Sequence, residues 1–311
     1  MTTSAIPRWA GARRSGRTLH QGVRPAGPVS RGLKGLLLTL CCLVVVGPFL
    51  AIISTSFAGN AQVNDAGGLV LWPTHPTFAA YRQLLSGGVV TRALFVSLGV
   101  TAVGTALSLA CTTALAYALA RMKSVLGKPL LLVILFTLFF TPGIIPSYLM
   151  VKQLHLLNSY WSLILPVLVS GFNVIVMRAF FLEIPQEILD AAHIDGAGEL
   201  ATLVRVVLPL SKAILAVIGL FYAVGYWNSF FTALLYLNDT RKWPLQLILR
   251  TYVVTGDPIG NEISSTSSAL LPTQQSLQMA ILVISLVPIL VLYPFIRRHF
   301  SSGLMLGAVK G

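Results

Sequence analysis

Three groups of residues in this chain have types and spacings from which chemistry could follow. The first is acidic: Glu183, Glu187, Asp190, Asp195 and Glu199 are five of its nine carboxylates, crowded into one short stretch. The second is aromatic and polar, running Phe221-Tyr222, Tyr226-Trp227-Asn228, Phe230-Phe231. Tyr222 and Tyr226 are four apart and share a helix face. Aromatic faces stack on the C–H faces of sugars, and an indole N–H or an Asn amide can bond hydroxyls. Trp227 and Asn228 are the best candidates for such contacts. The same residues would also suit an aromatic belt or a helix-packing layer near a membrane interface, and the sequence leaves both readings open. The third group, Arg241, Lys242 and Arg250, could attract an anionic ligand or simply face solvent.

Missing motifs narrow the chemistry. There is no HExxH, no GxSxG and no Walker A sequence (GxxxxGK[ST]), so neither hydrolysis of a substrate nor of ATP is expected on this chain. His155 and His193 stand alone, without metal-ligand spacing, so no metal and no resident cofactor is expected. Cys41, Cys42 and Cys111 lie inside apolar blocks and read as small buried hydrophobes rather than a disulfide framework.

The elements that must position these residues are membrane spans. Only 10% of the 311 residues are charged while 55% are hydrophobic, and the mean hydropathy is +0.81. A soluble domain carries roughly 25% charged residues. The apolar residues come in continuous blocks of the length that crosses a ~30 Å hydrocarbon core as helix, rather than in the alternating segments of a barrel. An all-α polytopic membrane protein with six transmembrane helices is expected, at Gly35–Phe57, Ala93–Ala120, Lys128–Met150, Tyr160–Phe181, Ala213–Leu237 and Leu277–Ile296. Pro142 and Pro146 should kink the third. This divides the chain into a disordered basic tail (1–34), a transmembrane domain (35–296) with an inner loop at 183–211, and a C-terminal tail (297–311).

The charges orient the spans. Seven of the 22 basic residues lie in the first 34 positions, with no acid among them. Placing both termini inside puts sixteen Lys and Arg on the inner side and six outside, the bias expected of cytoplasmic segments. The net charge of +13 is thus explained by topology, not by nucleic acid. No Asp or Glu falls within a span, which weighs against an ion-coupled carrier, since such a carrier keeps a carboxylate at membrane depth. A membrane-embedded enzyme is disfavoured for want of a nucleophile or metal constellation.

The acidic stretch falls on the inner side, against the basic trend there. It reads as two short helices. Pro185 suits a first helical position, with Gln186–His193 continuing. Asp195-Gly196-Ala197-Gly198 is a turn. A second helix runs from Glu199 to Val207, with Pro209 marking its end. Such a hairpin can be a solvated surface feature, or it can transmit a partner's movement to the spans, and spacing alone does not decide.

The sequence Asp190-Ala191-Ala192, three residues, Gly196, nine residues, Val206-Val207-Leu208-Pro209 resembles the EAA signature of binding-protein-dependent importer permeases. That signature reads Glu-Ala-Ala, three residues, Gly, nine residues, Ile-x-Leu-Pro; Asp190 and Val206 depart from it conservatively. Asn158-Ser159-Tyr160-Trp161, Phe172-Asn173, Arg178-x-Phe180-Phe181 and Ile184-Pro185 are similar to the carbohydrate branch, of the maltose-permease type. Asn238-Asp239, Pro244-Leu245-Gln246 and the tail Gly303–Gly311 resemble a subgroup for complex or uronate-containing oligosaccharides, alginate-type oligomers included.

The resemblance implies a type I ABC importer permease fold in the bacterial inner membrane. A second homologous permease, two ATPase subunits holding ATP and Mg²⁺, an extracytoplasmic solute-binding protein and a sugar would be the partners. It implies an ATPase-docking role for Glu187, Asp190, Ala191, Ala192, Asp195, Gly196, Leu208 and Pro209. Tyr222, Tyr226, Trp227 and Asn228 would lie on the substrate pathway.

Overall fold

The computed structural model describes residues 28–86, 88–121, 127–254 and 272–307. Among the described residues the regular structure is helical, without a strand. The helices are α1 (Pro28–Phe57), α2 (Asn60–Asp65), α3 (Ala79–Leu85), α4 (Val89–Arg121), α5 (Gly127–Phe139), α6 (Ile144–Gln153), α7 (Trp161–Ile164), α8 (Gly171–Leu182), α9 (Gln186–Ile194), α10 (Glu199–Thr202), α11 (Leu208–Leu210), α12 (Lys212–Trp227), α13 (Phe230–Tyr236), α14 (Leu245–Val254) and α15 (Gln274–Gly307). Short 3₁₀ turns at Leu165–Val167 and Thr240–Lys242 and a π turn at Leu203–Val207 complete the order.

The chain forms two units, Met1–Phe49 and Leu50–Gly311. The described part of the first is a stretch of α1 whose leucines and valines are exposed, Leu36, Leu40 and Leu43 among them. In the second unit, α4 is the central post. It packs against α12 and α8 around a core that includes Ala116, Val174, Met177 and Ile218, all essentially inaccessible. A second cluster joins α3, α14 and α15 through Leu245, Leu277, Ala280 and Ile281.

Among the described residues, three helical segments are long and apolar enough to cross a membrane: Gly32–Phe57, Val89–Arg121 and Gln274–Leu292. The number rises to five if each of two bent pairs counts as one crossing. Six spans are expected from the sequence, and three of those segments are broken or bent, only the third span at an expected kink. The segment Lys128–Met150 is split into α5 and α6 at Phe140–Gly143, where Pro142 lacks the N–H that a continuing helix needs. The segment Tyr160–Phe181 bends by 52° between Trp161–Val167 and α8. The segment Ala213–Leu237 breaks at Asn228–Ser229, between α12 and α13.

Other boundaries shift as well. Helix α1 begins at Pro28, seven residues before the expected first span, and α15 continues to Gly307, past the expected end at Ile296. Most of the basic tail (1–27), residues 255–271 and the last four residues lie outside the described residues.

Candidate functional site

The 183–211 loop folds as the expected hairpin, with a turn whose hydrogen bonds account for its glycine. Helix α9 ends at Ile194 with Asp195 as its C-cap, after which Gly196 takes φ +81°, a backbone conformation that side-chain-bearing residues rarely adopt. The Gly196 N–H donates to His193 O (3.0 Å) and the Ala197 N–H to Ala192 O (2.9 Å), the paired bonds of a Schellman cap. The turn therefore holds one shape, and Gly196 is what permits it.

The second helix departs from expectation. It continues past Val207 to Leu210, with Pro209 inside the last turn rather than at its end. Pro209 cannot donate to the carbonyl of Arg205, and its ring would crowd that group. The π turn at Leu203–Val207 widens the backbone just ahead of it. The direction then changes at Ser211: Glu199–Leu210 and α12 meet at 88°. Thr202 and Ser211 are fully buried at this corner, and neither hydroxyl has a hydrogen-bond partner among the described residues.

The hairpin is fastened to the end of α4. Tyr117 Oη donates to Glu199 Oε2 (2.7 Å), Arg121 Nη1 to Gln186 Oε1 (3.0 Å), and Gln186 Nε2 to Asp190 Oδ1 (2.8 Å). Arg178 Nε reaches Leu119 O (3.2 Å), and His193 Nε2 lies 3.3 Å from Glu199 Oε1. The Tyr117 hydroxyl, with smaller contributions from His193 and Arg121, holds the Glu199 carboxyl below the usual carboxylate range. Leu189 is buried beneath α9.

Glu187, Asp190, Ala191, Asp195, Gly196 and Pro209 are exposed, whereas Ala192 and Leu208 are half-buried. Sequence reasoning missed the apolar residues among them. Ile188, Ile194, Leu200 and Val204 are exposed, Ile194 at 86% and Leu200 at 75% of full accessibility. Their signal was present, since a helix of nine residues bearing five apolar ones cannot hide them all against one neighbour.

The aromatic group lies at the far end of α12. A cavity of about 820 Å³ opens there, and three of the breaks in the spans border it. Thr141 and Pro142 come from the α5–α6 break, Pro166, Val167 and Ser170 from the bend before α8, and Asn228 and Ser229 from the α12–α13 break. Non-helical backbone at membrane depth is tolerated where it lines a cavity, because water or a ligand can then satisfy its polar groups.

Tyr222, Tyr226 and Asn228 line this cavity, but the two tyrosine hydroxyls are already engaged. Tyr222 Oη is 2.6 Å from Thr112 Oγ1 and accepts the Ser170 N–H at 3.0 Å. Tyr226 Oη is 2.7 Å from Ser108 Oγ. Both tyrosines are buried, so they form the wall and pin α12 to α4. Asn228 is exposed and free to face a ligand.

Trp227 does not join them. Its indole is 4% exposed within the α14–α15 cluster, and Nε1 donates to Ser285 O (3.1 Å). A helix turns about 100° per residue, which separates Trp227 from the face that Tyr222, Tyr226 and the cavity share. Of the two readings left open above, packing is the one this geometry fits.

Three of the exposed rings lining the cavity, Phe221, Phe230 and Phe231, belong to the aromatic group named from the sequence, although the sequence does not single them out for the pathway. Phe172 and Phe221 stand 6.4 Å apart, and Phe230 and Phe231 follow. The prolines inside apolar segments, Pro142 and Pro166, were the available signal, since they mark where the backbone must open.

The three cations Arg241, Lys242 and Arg250 differ in their surroundings. Lys242 Nζ donates to Asn158 O (2.6 Å), so it is committed to holding loops together. Arg241 is exposed. Arg250 sits with its guanidinium carbon 5.2 Å from the centre of the Phe230 ring, a cation over an aromatic face that borders the cavity. Among the described residues there is no cluster of His, Cys, Asp and Glu able to hold a metal ion.

Comparison with known proteins bears on what such a hairpin and cavity do. Residues 110–305 match the model of the binding-protein-dependent transport system inner membrane component. The chain is 41% identical over 274 residues to the polygalacturonan/rhamnogalacturonan transport system permease protein YtcP of Bacillus subtilis, covering 88% of this chain and 96% of that relative. It is 42% identical over 269 residues to protein LplC of the same organism, covering 86% and 90%. Its fold is similar to a chain in the crystal structure of a bacterial ABC transporter involved in the import of the acidic polysaccharide alginate. The TM-score there is 0.82 at 28% identity, over 89% of this chain and all of that one. The match spans the hairpin, the cavity and the spans that carry them, and the chain belongs to the family of binding-protein-dependent transport system inner membrane components.

Proposed function

We propose that this chain is one membrane half of an importer that passes an oligosaccharide from a solute-binding protein into the cytoplasm. The energy comes from ATPase subunits outside the chain and enters through the Glu183–Pro209 hairpin. One observation carries the reading: α12 connects hairpin to cavity without interruption. Its 16 residues span about 24 Å at 1.5 Å per residue. The hairpin's second helix meets one end at 88°, and Asn228 at the other end borders the cavity. A push on the hairpin then tilts the cavity wall.

In this reading Ala191, Gly196 and the flanking acids Glu187, Asp190 and Asp195 face a cleft on an ATPase subunit, with Ile194 and Leu200 supplying apolar contact. Ala192, Leu208 and Pro209 shape the hairpin from within. A second permease subunit completes the cavity, and ATP with Mg²⁺ stays on the ATPases. Six crossings with both termini inside are read as α1, α4, α5 with α6, α7 with α8, α12 with α13, and α15. The basic bias of the inner segments supports that orientation.

The cargo is taken to be an oligosaccharide with acidic sugars. Support comes from the names of the relatives and from the composition of the wall: exposed phenylalanines for stacking, Asn228 for hydroxyls, and Arg250 over Phe230 beside them. The test is uptake by the complete complex in vesicles. Ala191→Arg should abolish uptake and binding-protein-stimulated ATP hydrolysis while the complex still assembles, and wild-type uptake of an oligogalacturonide should exceed that of a neutral oligosaccharide of equal length. Unchanged activity in Ala191→Arg removes the docking role, and preference for the neutral sugar removes the acidic cargo.

A further inference from the structure

The loop between α1 and α3 has a built conformation that displays apolar side chains outward. Gln62 on α2 holds it from inside: its Nε2 donates to Trp72 O (2.8 Å), while Oε1 accepts from Thr74 N (2.9 Å) and Thr74 Oγ1 (3.1 Å). Gly68, at φ +127°, lies so close to α15 that a Cβ there would stand 2.6 Å from the Gln275 side chain. The Thr273 N–H donates to Asn60 Oδ1 (3.0 Å) on the same side.

Within this frame the side chains alternate. Val70 is buried with Val63 and Ala58, whereas Leu69, Leu71 and Trp72 point away from the protein. Leu71 is 77% and Trp72 81% exposed. Residues 66–74 carry no charge. A rigid loop presenting adjacent Leu and Trp to water would be costly, at about 25 cal/mol per Å² of apolar surface.

Two contacts fix the level of the loop. The Val70 N–H donates to Thr55 Oγ1 (2.9 Å), and the Thr77 N–H to Phe57 O (2.7 Å), so the segment lies beside the last turn of α1. Gly68 meets the first turn of α15. The apolar segment Gln274–Leu292 that opens α15 is 19 residues long, about 28 Å of helix against a hydrocarbon core of ~30 Å. Its first turn therefore sits at a bilayer surface, and so do Gly68 beside it and the loop that carries Leu71 and Trp72. Trp is enriched at that depth because its ring is amphipathic.

We propose that Leu69, Leu71 and Trp72 form an interfacial anchor, inserted at the boundary of headgroups and acyl chains. The occupant of this surface is phospholipid. The proposal rests on the membrane orientation given above only for naming the leaflet, the outer one; the depth follows from α15 alone.

The test uses the whole complex in vesicles, comparing wild type with Trp72→Phe, so that the difference in emission isolates one tryptophan of five. Phosphatidylcholine brominated near the headgroup should remove most of the Trp72 emission, and aqueous iodide should remove little, with or without binding protein. Trp72→Tyr should retain uptake, showing that the complex is intact. Strong quenching by iodide with none by brominated lipid overturns the anchor in favour of a solvated loop. Protection from both quenchers overturns it in favour of a protein contact: the second permease if protection is constant, the binding protein if it appears only on adding that protein.

Discussion

The ring of Tyr226 on α12 lies so close to Gly104 on α4 that a Cβ built on the glycine would stand 2.8 Å from it. Next to that contact the Tyr226 hydroxyl meets Ser108, one turn further along α4. The two helices can approach only because residue 104 has no side chain, as small residues allow in membrane helix packing. Gly104→Ala should therefore destabilise the subunit by about 1–3 kcal/mol, the usual range for overpacking. A lowered melting temperature of the purified complex would show it. Combining it with Tyr226→Leu should cost less than the sum of the two single changes, because the clash is between these residues.

A second prediction concerns the neighbouring tyrosine. Tyr222 Oη bonds Thr112 and also accepts the N–H of Ser170, a backbone group freed by the bend before α8. Tyr222→Phe leaves both without a partner and should cost about 1–3 kcal/mol. Thr112→Val added to it should cost little more, because its partner hydroxyl is already gone. Thermal unfolding of the two single variants and the double variant measures the difference.

Trp227 and Asn228 are adjacent and should behave differently. Trp227→Ala opens a void among Leu245, Leu277 and Ile281 and should lower stability by about 3–5 kcal/mol. Asn228→Ala touches the cavity wall only and should raise the KM for uptake while assembly and melting temperature stay near wild type. Transport kinetics beside thermal unfolding separate the two. A KM effect in a stable Trp227→Phe variant would return Trp227 to the pathway.

The hairpin was legible because its spacing encodes it. Gly196 sits where a helix must turn, and Pro185 and the acids mark a start. Its tether was not, since Tyr117 lies 82 positions from Glu199 and only packing brings them together. The spans were legible as apolar blocks, and the third as a kinked one, but the breaks in the fourth and fifth were not. Hydropathy does not register that Pro142, the Pro166 bend and Asn228 open the backbone toward one cavity. Trp227 shows the limit most clearly: its residue type suits both a sugar and a core, and only its position on α12 decides which it faces.

The Glu199 tether carries a pH prediction. Its carboxyl is held below the usual range, first by the Tyr117 hydroxyl. The stabilisation is therefore present above the ordinary Glu value, ~4.3, and is lost as pH falls through the lower folded value. Melting temperature should thus fall less steeply with acidification below about pH 4.3 in Glu199→Gln and in Tyr117→Phe than in wild type. Equal slopes in all three would mean that the tether contributes nothing.

The central claim is that the hairpin, held in one shape by Gly196, drives the cavity through α12. The most direct measurement is binding-protein-stimulated ATP hydrolysis and uptake by the whole complex in vesicles, for Gly196→Val beside Gly196→Asn. A β-branched residue at φ +81° is strained by about 1–3 kcal/mol, whereas Asn tolerates that conformation. The account predicts that Gly196→Val assembles but loses uptake by about tenfold or more, while Gly196→Asn keeps most of it. Wild-type uptake in Gly196→Val would contradict it.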